Sequence, residues 1–344
     1  STKGLAKNQS KLTDLMQATI EEPRFDELPR IQELIAQTQA RQESSITGVG
    51  HRLAMTAASR GATPGAKLAH QWGGLESIRH IKQLDASLKN NQNLLELGEQ
   101  LTELHRLVLT APRKYLLIGE TDKLDYTGLE SNPCFAELKK LGFEAFSPTH
   151  TTCRVSEFWK LNTQVNFCAK SYSTVSVAHP DAAALQVLGE FLRNGYLHRT
   201  IREQGGAYGG GATQDNTTAT FKFFSYRDPR LAATLDDFDL SLDWLQNEKH
   251  ERIQVEESIL GVISSIDKPS SPAGEIKHAF HAELYGRNRE ALELFRNQVR
   301  EVTLEDLQRV ADRYLKKESA SIAVIGSNEN SGVADTLNLS LMTL

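Results

Sequence analysis

Arg202 and Tyr208 bracket the part of the chain best equipped for chemistry. Five of the seven residues from Gly205 to Gly211 are glycine, in a chain with only 23 glycines among 344 residues. A guanidinium offers several N–H donors and a phenol one O–H. Glycine permits close backbone approach and unusual backbone angles. Together they suit a loop that faces a ligand or substrate and offers it strong hydrogen-bond donors.

Two other readings of the same run compete. A dinucleotide fingerprint follows a strand and opens a helix, whereas this run follows a helical pattern and leads into a strand pattern. Gly206 and Gly211 have the spacing of a phosphate loop, but Ala212 stands where its lysine belongs. A plain helix end is the second alternative: Gly205 suits a cap, and Arg202 in the last turn suits the helix dipole. A cap needs one glycine and leaves four unexplained, so the ligand-facing and capping readings both stand on the residues alone.

Other clusters carry less. His278 and His281, with Glu283, place two imidazoles one helical turn apart, but the three-ligand set of a catalytic zinc is not visible around them. His179 and His198 read as isolated. Cys134, Cys153 and Cys168 are odd in number and widely spaced, which indicates neither a disulfide framework nor a zinc knuckle. G-x-S-x-G, H-E-x-x-H and H-x-x-E-H are absent.

The elements that must position Arg202 and Tyr208 follow from periodicity. Pro180 and Asp181 open a helix that carries Leu185, Leu188, Phe191, Leu192, Tyr196 and Ile201 up to the glycines. Thr213 to Ser225 alternates as one strand, and Val165 to Lys170 reads as a half-buried strand. Helices are expected over Arg230 to Leu245, Glu248 to Ser264 and through Phe280 and Leu284. Thr303 with Asp306 forms a capping box before another, and Ser321 to Gly326 is the closing strand.

The first part is richer in helix. One is expected from Ser10 to Ile20, a long one from Asp26 into the Ser59 region, a short one around Leu68 and Trp72, and one from Leu84 to Thr110. Tyr115 to Gly119 reads as a buried strand and Asp122 to Phe143 as a helix. Both Tyr115–Gly119 and Ser321–Gly326 follow an amphipathic helix and end in Ile-Gly, which suggests two copies of one unit. The lone early strand and the abrupt helical start suit a piece of something longer.

At 344 residues two domains are expected. The division is placed between 1–145, helix-rich and incomplete, and 146–344, a complete domain of helices on an antiparallel sheet; the class is α+β. With 39 basic against 44 acidic residues and a net charge of −5, no nucleic-acid footprint is indicated. No apolar run is long enough to span a bilayer and no signal peptide is seen. A cytoplasmic location is expected, an organelle or the periplasm being open.

Arg202-Glu203-Gln204-Gly205-Gly206-Ala207-Tyr208-Gly209 resembles the arginine–tyrosine segment of the insulinase-type, inverted-zinc-motif metallopeptidases, and most of all their presequence-protease branch. Lys3-Gly4-Leu5, Pro23-Arg24-Phe25-Asp26, Gly50-His51-Arg52-Leu53-Ala54 and Gly74-Leu75 are similar to the branch's third domain, and Val165 to Ile325 to its fourth. The resemblance implies two-layer helix-and-sheet domains of the LuxS-like, metallopeptidase kind, and the carboxy-terminal half of a clamshell that closes on a peptide. It implies that zinc is held by an amino-terminal half, with none expected in this chain. Arg202 would hold a substrate carbonyl, and Tyr208 would hydrogen-bond the carbonyl or its developing oxyanion. Gly205, Gly206, Ala207, Gly209 and Gly210 would line the substrate backbone. The implied partners are peptides and the amino-terminal half, with no nucleic acid and no membrane. A non-catalytic scaffold subunit of the same fold is the alternative.

Overall fold

The computed structural model describes residues 1–124, 146, 148–149 and 151–344. The expected helix over Asp122 to Phe143 lies almost wholly outside them, as do Pro133 and Cys134. The chain divides into two compact units, each assembled from separated segments. One takes Ser1–Thr38, Gln83–Ser147 and Pro269–Asn288, and the other Gln39–Lys82, Pro148–Lys268 and Arg289–Leu344. α2 (Leu28–Ser59) contributes to both units.

In the first unit α1 (Gln9–Glu21) buries no residue, and the early part of α2, α5 (Asn91–Thr110) and the segment before α5 supply a small core of Ile31, Leu88 and Leu94, with Phe25, Leu28, Ile35, Leu84, Leu97 and Leu101 packed round it. The single helix expected from Leu84 to Thr110 is two, α4 (Leu75–Ser87) and α5. Asn90 causes the break: its side chain accepts from Gln92 N at 2.9 Å and so begins a new helix. The strand expected at Tyr115–Gly119 does not form. The segment joins no ladder among the described residues, and a strand without a partner has nowhere to place its backbone groups.

The second unit is built on a six-stranded sheet of order β3-β4-β2-β5-β1-β6, formed by β1 (Ser156–Lys160), β2 (Phe167–Ser173), β3 (Gly209–Asp215), β4 (Thr220–Tyr226), β5 (Ser321–Gly326) and β6 (Ser340–Thr343). Three pairings are antiparallel, and β1 adds to β5 and β6 in parallel, so the sheet expected to be antiparallel is mixed. β1 and β6 are strands the sequence did not reveal. Two four- or five-residue segments flanked by polar residues are too short for a pattern to show.

The single strand expected over Thr213–Ser225 is a hairpin. β3 and β4 pair from Gly209↔Tyr226 to Asp215↔Thr220, and Ala219, expected on a strand face, lies in the connecting turn with φ +52°. Asp215 stabilises that turn, accepting from the backbone of Thr217 and Thr218 and pairing with Lys222 Nζ at 2.7 Å. Burial opposes ionisation of Asp215, but the Lys222 charge together with the hydrogen bonds from Lys222 and Thr218 outweighs it and pulls the carboxyl down to about 2.

Helices cover both faces of the sheet, a second layer beyond the one expected. On one face Phe158, Cys168, Tyr172, Phe221, Phe223 and Val324 pack under α6 (Ala182–Leu192), α7 (Ala232–Asn247), α8 (Arg252–Ile266), α10 (Arg289–Arg300) and α11 (Leu304–Tyr314). On the other, Trp159, Phe167, Ala169, Ala323 and Ile325 meet Ile46, Leu53, Ala54, Ala57 and Ala58 of α2 with Leu75 and Ile78 of α4. This is why β2 is buried on both sides rather than half-buried. The small residues of α2 let the helix lie close to the strands. The capping box at Thr303 and Asp306 forms as expected, each side chain meeting the other residue's backbone N–H at 3.2 Å.

Candidate functional site

The expected helix up to the glycines is α only as far as Leu192. From Arg193 to Gln204 it continues as a π-helix of twelve residues, far longer than the single-turn bulges that π geometry usually forms. Leu197 and Ile201 point into the core while Arg202 faces solvent. Gly206 ends the helix in the left-handed region, φ +78°. The N–H groups of Gly206 and Ala207 donate back to Arg202 O and Ile201 O, both at 3.1 Å, a nested pair that satisfies carbonyls of the last turn. Two residues later the chain is already strand β3, at an edge of the sheet.

The glycines therefore divide by cause. At Gly205 a side chain would fall on the Arg230 guanidinium, which pairs with Asp237 at 2.9 Å and reaches toward Thr200 O at 3.5 Å. Gly206 serves the left-handed turn. A Cβ at Gly210 would sit 2.8 Å from Ile201 Cγ2, and one at Gly211 3.1 Å from Arg193 Cγ. These four answer to the fold. Gly209 alone has nothing within 4 Å of the position its Cβ would take.

Accessibility divides the same segment. Gly205 and Ala207 are buried, so they shape the turn rather than face solvent, whereas Gly206 is exposed and Gly209 and Gly210 are half-buried. Tyr208 is 68% exposed. Its N–H donates to Tyr226 O at 3.0 Å, and its ring stands edge-on to the Tyr226 ring with centroids 5.3 Å apart.

Arg202 is backed by a residue that read as isolated in the sequence. His198 Nε2 lies 3.3 Å from Arg202 Nη1, and His198 Nδ1 lies 3.4 Å from Glu203 Oε1. An imidazole protonated at Nδ1 fits both contacts, its Nε2 accepting from the guanidinium. The four-residue spacing of His198 and Arg202 on one helix was the available signal for this pair. His179 has a separate duty: its Nδ1 accepts from Asp181 N at 3.0 Å, beside the ion pairs of Asp181 with Arg309 and Arg313.

Chemically the turn presents a cation and a phenol to solvent at the two ends of a tight helix-to-strand connection, next to the open backbone of Gly209. Such a surface can donate hydrogen bonds to carbonyl oxygens of an extended chain. No group of three or more His, Cys, Asp or Glu side chains is gathered as a metal site among the described residues, and His278, His281 and Glu283 are exposed on α9 (Pro272–Leu284). Nor is any helix among the described residues long and apolar enough to cross a membrane.

Comparison with known proteins bears on the whole chain. Residues 1–84 match the family described as peptidase M16C associated, and residues 156–328 match the PreP C-terminal domain family. The mitochondrial presequence protease of Yarrowia lipolytica is 31% identical over 94% of this chain and 32% of its own length. That of Danio rerio is 29% identical over 96% of this chain and 34% of its own length, and that of Kluyveromyces lactis 40% identical over 47% and 16%. The chain thus spans about a third of the length of the first two. Among solved structures, a conserved protein from Enterococcus faecalis superposes with a TM-score of 0.58 at 14% identity, covering 87% of this chain and 68% of that one, which is a likeness of fold alone. The family matches, which together take in the glycine turn and most of the unit that carries it, show that this chain belongs to the PreP C-terminal domain family, the carboxy-terminal part of presequence-protease-type M16 peptidases.

Proposed function

We propose that this chain is the substrate-binding part of a zinc-dependent oligopeptidase that degrades unstructured peptides, and that it contributes Arg202 and Tyr208 to an active site whose zinc is carried by an amino-terminal part of the enzyme. One observation carries the reading: the two strongest donors at the helix-to-strand turn face solvent and are spared from the packing that accounts for the residues around them. Arg230 at the same turn is tied into an ion pair; Arg202 and the Tyr208 hydroxyl are left to act outward.

In this reading an extended peptide lies along the free edge of β3, where alternate residues direct N–H and C=O away from β4. The open space at Gly209 and the half-exposed backbone of Gly210 admit it, while Gly205 and Ala207 hold the turn in shape. Arg202 would hold a backbone carbonyl. Tyr208 would donate to the carbonyl under attack, where charge develops. The division into 1–145 and 146–344, as the remainder of one peptidase-like domain and a complete second one, belongs to the same proposal. So do peptides and the amino-terminal part as partners. The relatives' names place them in mitochondria, which weighs toward the organelle rather than the cytoplasm first expected.

The test is kinetic. When the chain is combined with a zinc-bearing amino-terminal part, a quenched fluorescent peptide should be cleaved, and a chelator should abolish cleavage. Arg202→Ala and Tyr208→Phe should each lower kcat/KM by about a hundredfold, the usual cost of one oxyanion donor. Because both side chains are exposed, thermal melting should not move. A stable complex with neither metal nor peptidase activity would instead identify a scaffold subunit, and full activity in both variants would remove the assigned roles.

A further inference from the structure

Tyr208 projects into solvent, yet one neighbour holds it twice. Tyr226, the last residue of β4, accepts the Tyr208 N–H on its carbonyl at 3.0 Å and sets its own ring against the phenol ring, centroids 5.3 Å apart and planes at 87°. The next residue, Arg227, has φ +49°, a left-handed backbone that non-glycine residues seldom adopt. That bend turns its carbonyl to within 3.4 Å of the same N–H.

Tyr226 is itself held from three sides. The His51 ring stands 4.8 Å away at 69°, the Phe167 ring 5.9 Å away, and the Arg227 guanidinium 5.4 Å over the ring. His51 in turn leans on Phe224 at 5.7 Å. This stack exists because Gly50 lets α2 lie on Phe167: a Cβ there would come 2.7 Å from the Phe167 ring. Val49, just before it, carries the kink of the helix, with φ −127° and ψ 16°. The Gly50-His51 pair thus builds the wall behind Tyr226.

An exposed tyrosine samples several rotamers, and only some place its oxygen at a given point. An edge-to-face aromatic pair favours one of them by about three- to tenfold. Resting on the role of Tyr208 proposed above, we propose that Tyr226 is a positioning residue for the Tyr208 phenol, and that His51 supports Tyr226 from behind. The device is the ring alone, since its carbonyl is present whatever the side chain.

The assay is peptide cleavage by the enzyme with its amino-terminal part present. Tyr226→Leu should lower kcat about three- to tenfold with KM nearly unchanged, and Tyr226→Phe, which keeps the ring, should restore it. In a Tyr208→Phe background Tyr226→Leu should cost nothing further, because a residue acting through the phenol hydroxyl loses its effect once that hydroxyl is gone. His51→Leu should reproduce the pattern more weakly, and it decides the matter if Tyr226→Leu lowers the melting temperature. An equal loss in both backgrounds, or no loss where Tyr208→Phe is crippled, overturns the positioning role while leaving Tyr208 in place. Full activity of Tyr208→Phe overturns both, since there is then nothing to position.

Discussion

Tyr115–Gly119 and Ser321–Gly326 carry nearly the same sequence pattern and meet opposite fates. Both are short apolar runs that follow a helix and end in Ile-Gly. Ser321–Gly326 is β5, flanked in parallel by β1 and antiparallel by β2, with its last four residues buried. Tyr115, Leu116 and Leu117 are 37%, 39% and 38% exposed and belong to no strand. The difference teaches that an apolar run is a request for partners. β5 finds two ladders and a helix layer on each face, and the sheet it joins is the one that supports the Arg202–Tyr208 turn.

That contrast can be tested by stability, from the largest effect down. Ile325→Ala removes a fully buried side chain facing Phe167 in the ladder register and should cost about 2–5 kcal/mol in chemical denaturation. A loss below about 1 kcal/mol would mean that the sheet is not the core of its unit.

Acid comes next. His70 is buried beside Trp159, with ring centroids 6.2 Å apart, and burial, helped by the Arg60 charge, lowers its pKa to about 4. The folded state therefore disfavours the proton that the unfolded chain accepts near its ordinary value of 6.5. The stability is complete above about pH 6.5 and is lost as pH falls toward 4, by up to about 3 kcal/mol. Denaturation midpoints of wild type and His70→Leu at pH 7 and pH 4.5 should show a smaller acid drop in the variant; equal drops would place the acid sensitivity elsewhere.

The glycines give a finer comparison. Gly206→Ala must hold a left-handed backbone and should cost about 1–2 kcal/mol. Gly209→Ala meets no atom and should change stability by less than about 0.5 kcal/mol. If Gly209 borders the peptide as proposed, the same substitution should raise KM, which separates a glycine kept for the ligand from those kept for the fold. Smallest of all, Leu117→Ala should cost less than about 1 kcal/mol, well below Ile325→Ala, because much of its surface already meets water.

Much of this was readable before the fold was known. Helix positions followed from 3.6-residue periodicity, and the capping box from Thr303 and Asp306 alone. Arg202 and Tyr208 stood out by residue type beside a cluster of glycines. Other parts were hidden for identifiable reasons. β1 and β6 are too short to show a period. The turn at Asn216–Ala219 carries no glycine, so the β3–β4 hairpin looked like one strand, and Ala219 had to take a left-handed φ that its type did not announce. His198 looked solitary because its partners depend on which face of a π-helix they occupy.

The cause of each glycine was the least legible feature, since of five identical residues three meet different neighbours, one holds a left-handed turn and one meets no atom. The chain alone determined which residues can donate hydrogen bonds, where most of the helices lie, and which runs demand burial, because these depend on local geometry and composition. Tertiary structure decided which apolar run became a central strand, why Gly205, Gly206 and Gly210 are glycine, and that His51, Tyr226 and Tyr208 share one aromatic stack. Those outcomes depend on contacts between residues far apart in the chain, such as His51 with Tyr226, 175 positions away, and no local pattern encodes who will meet whom.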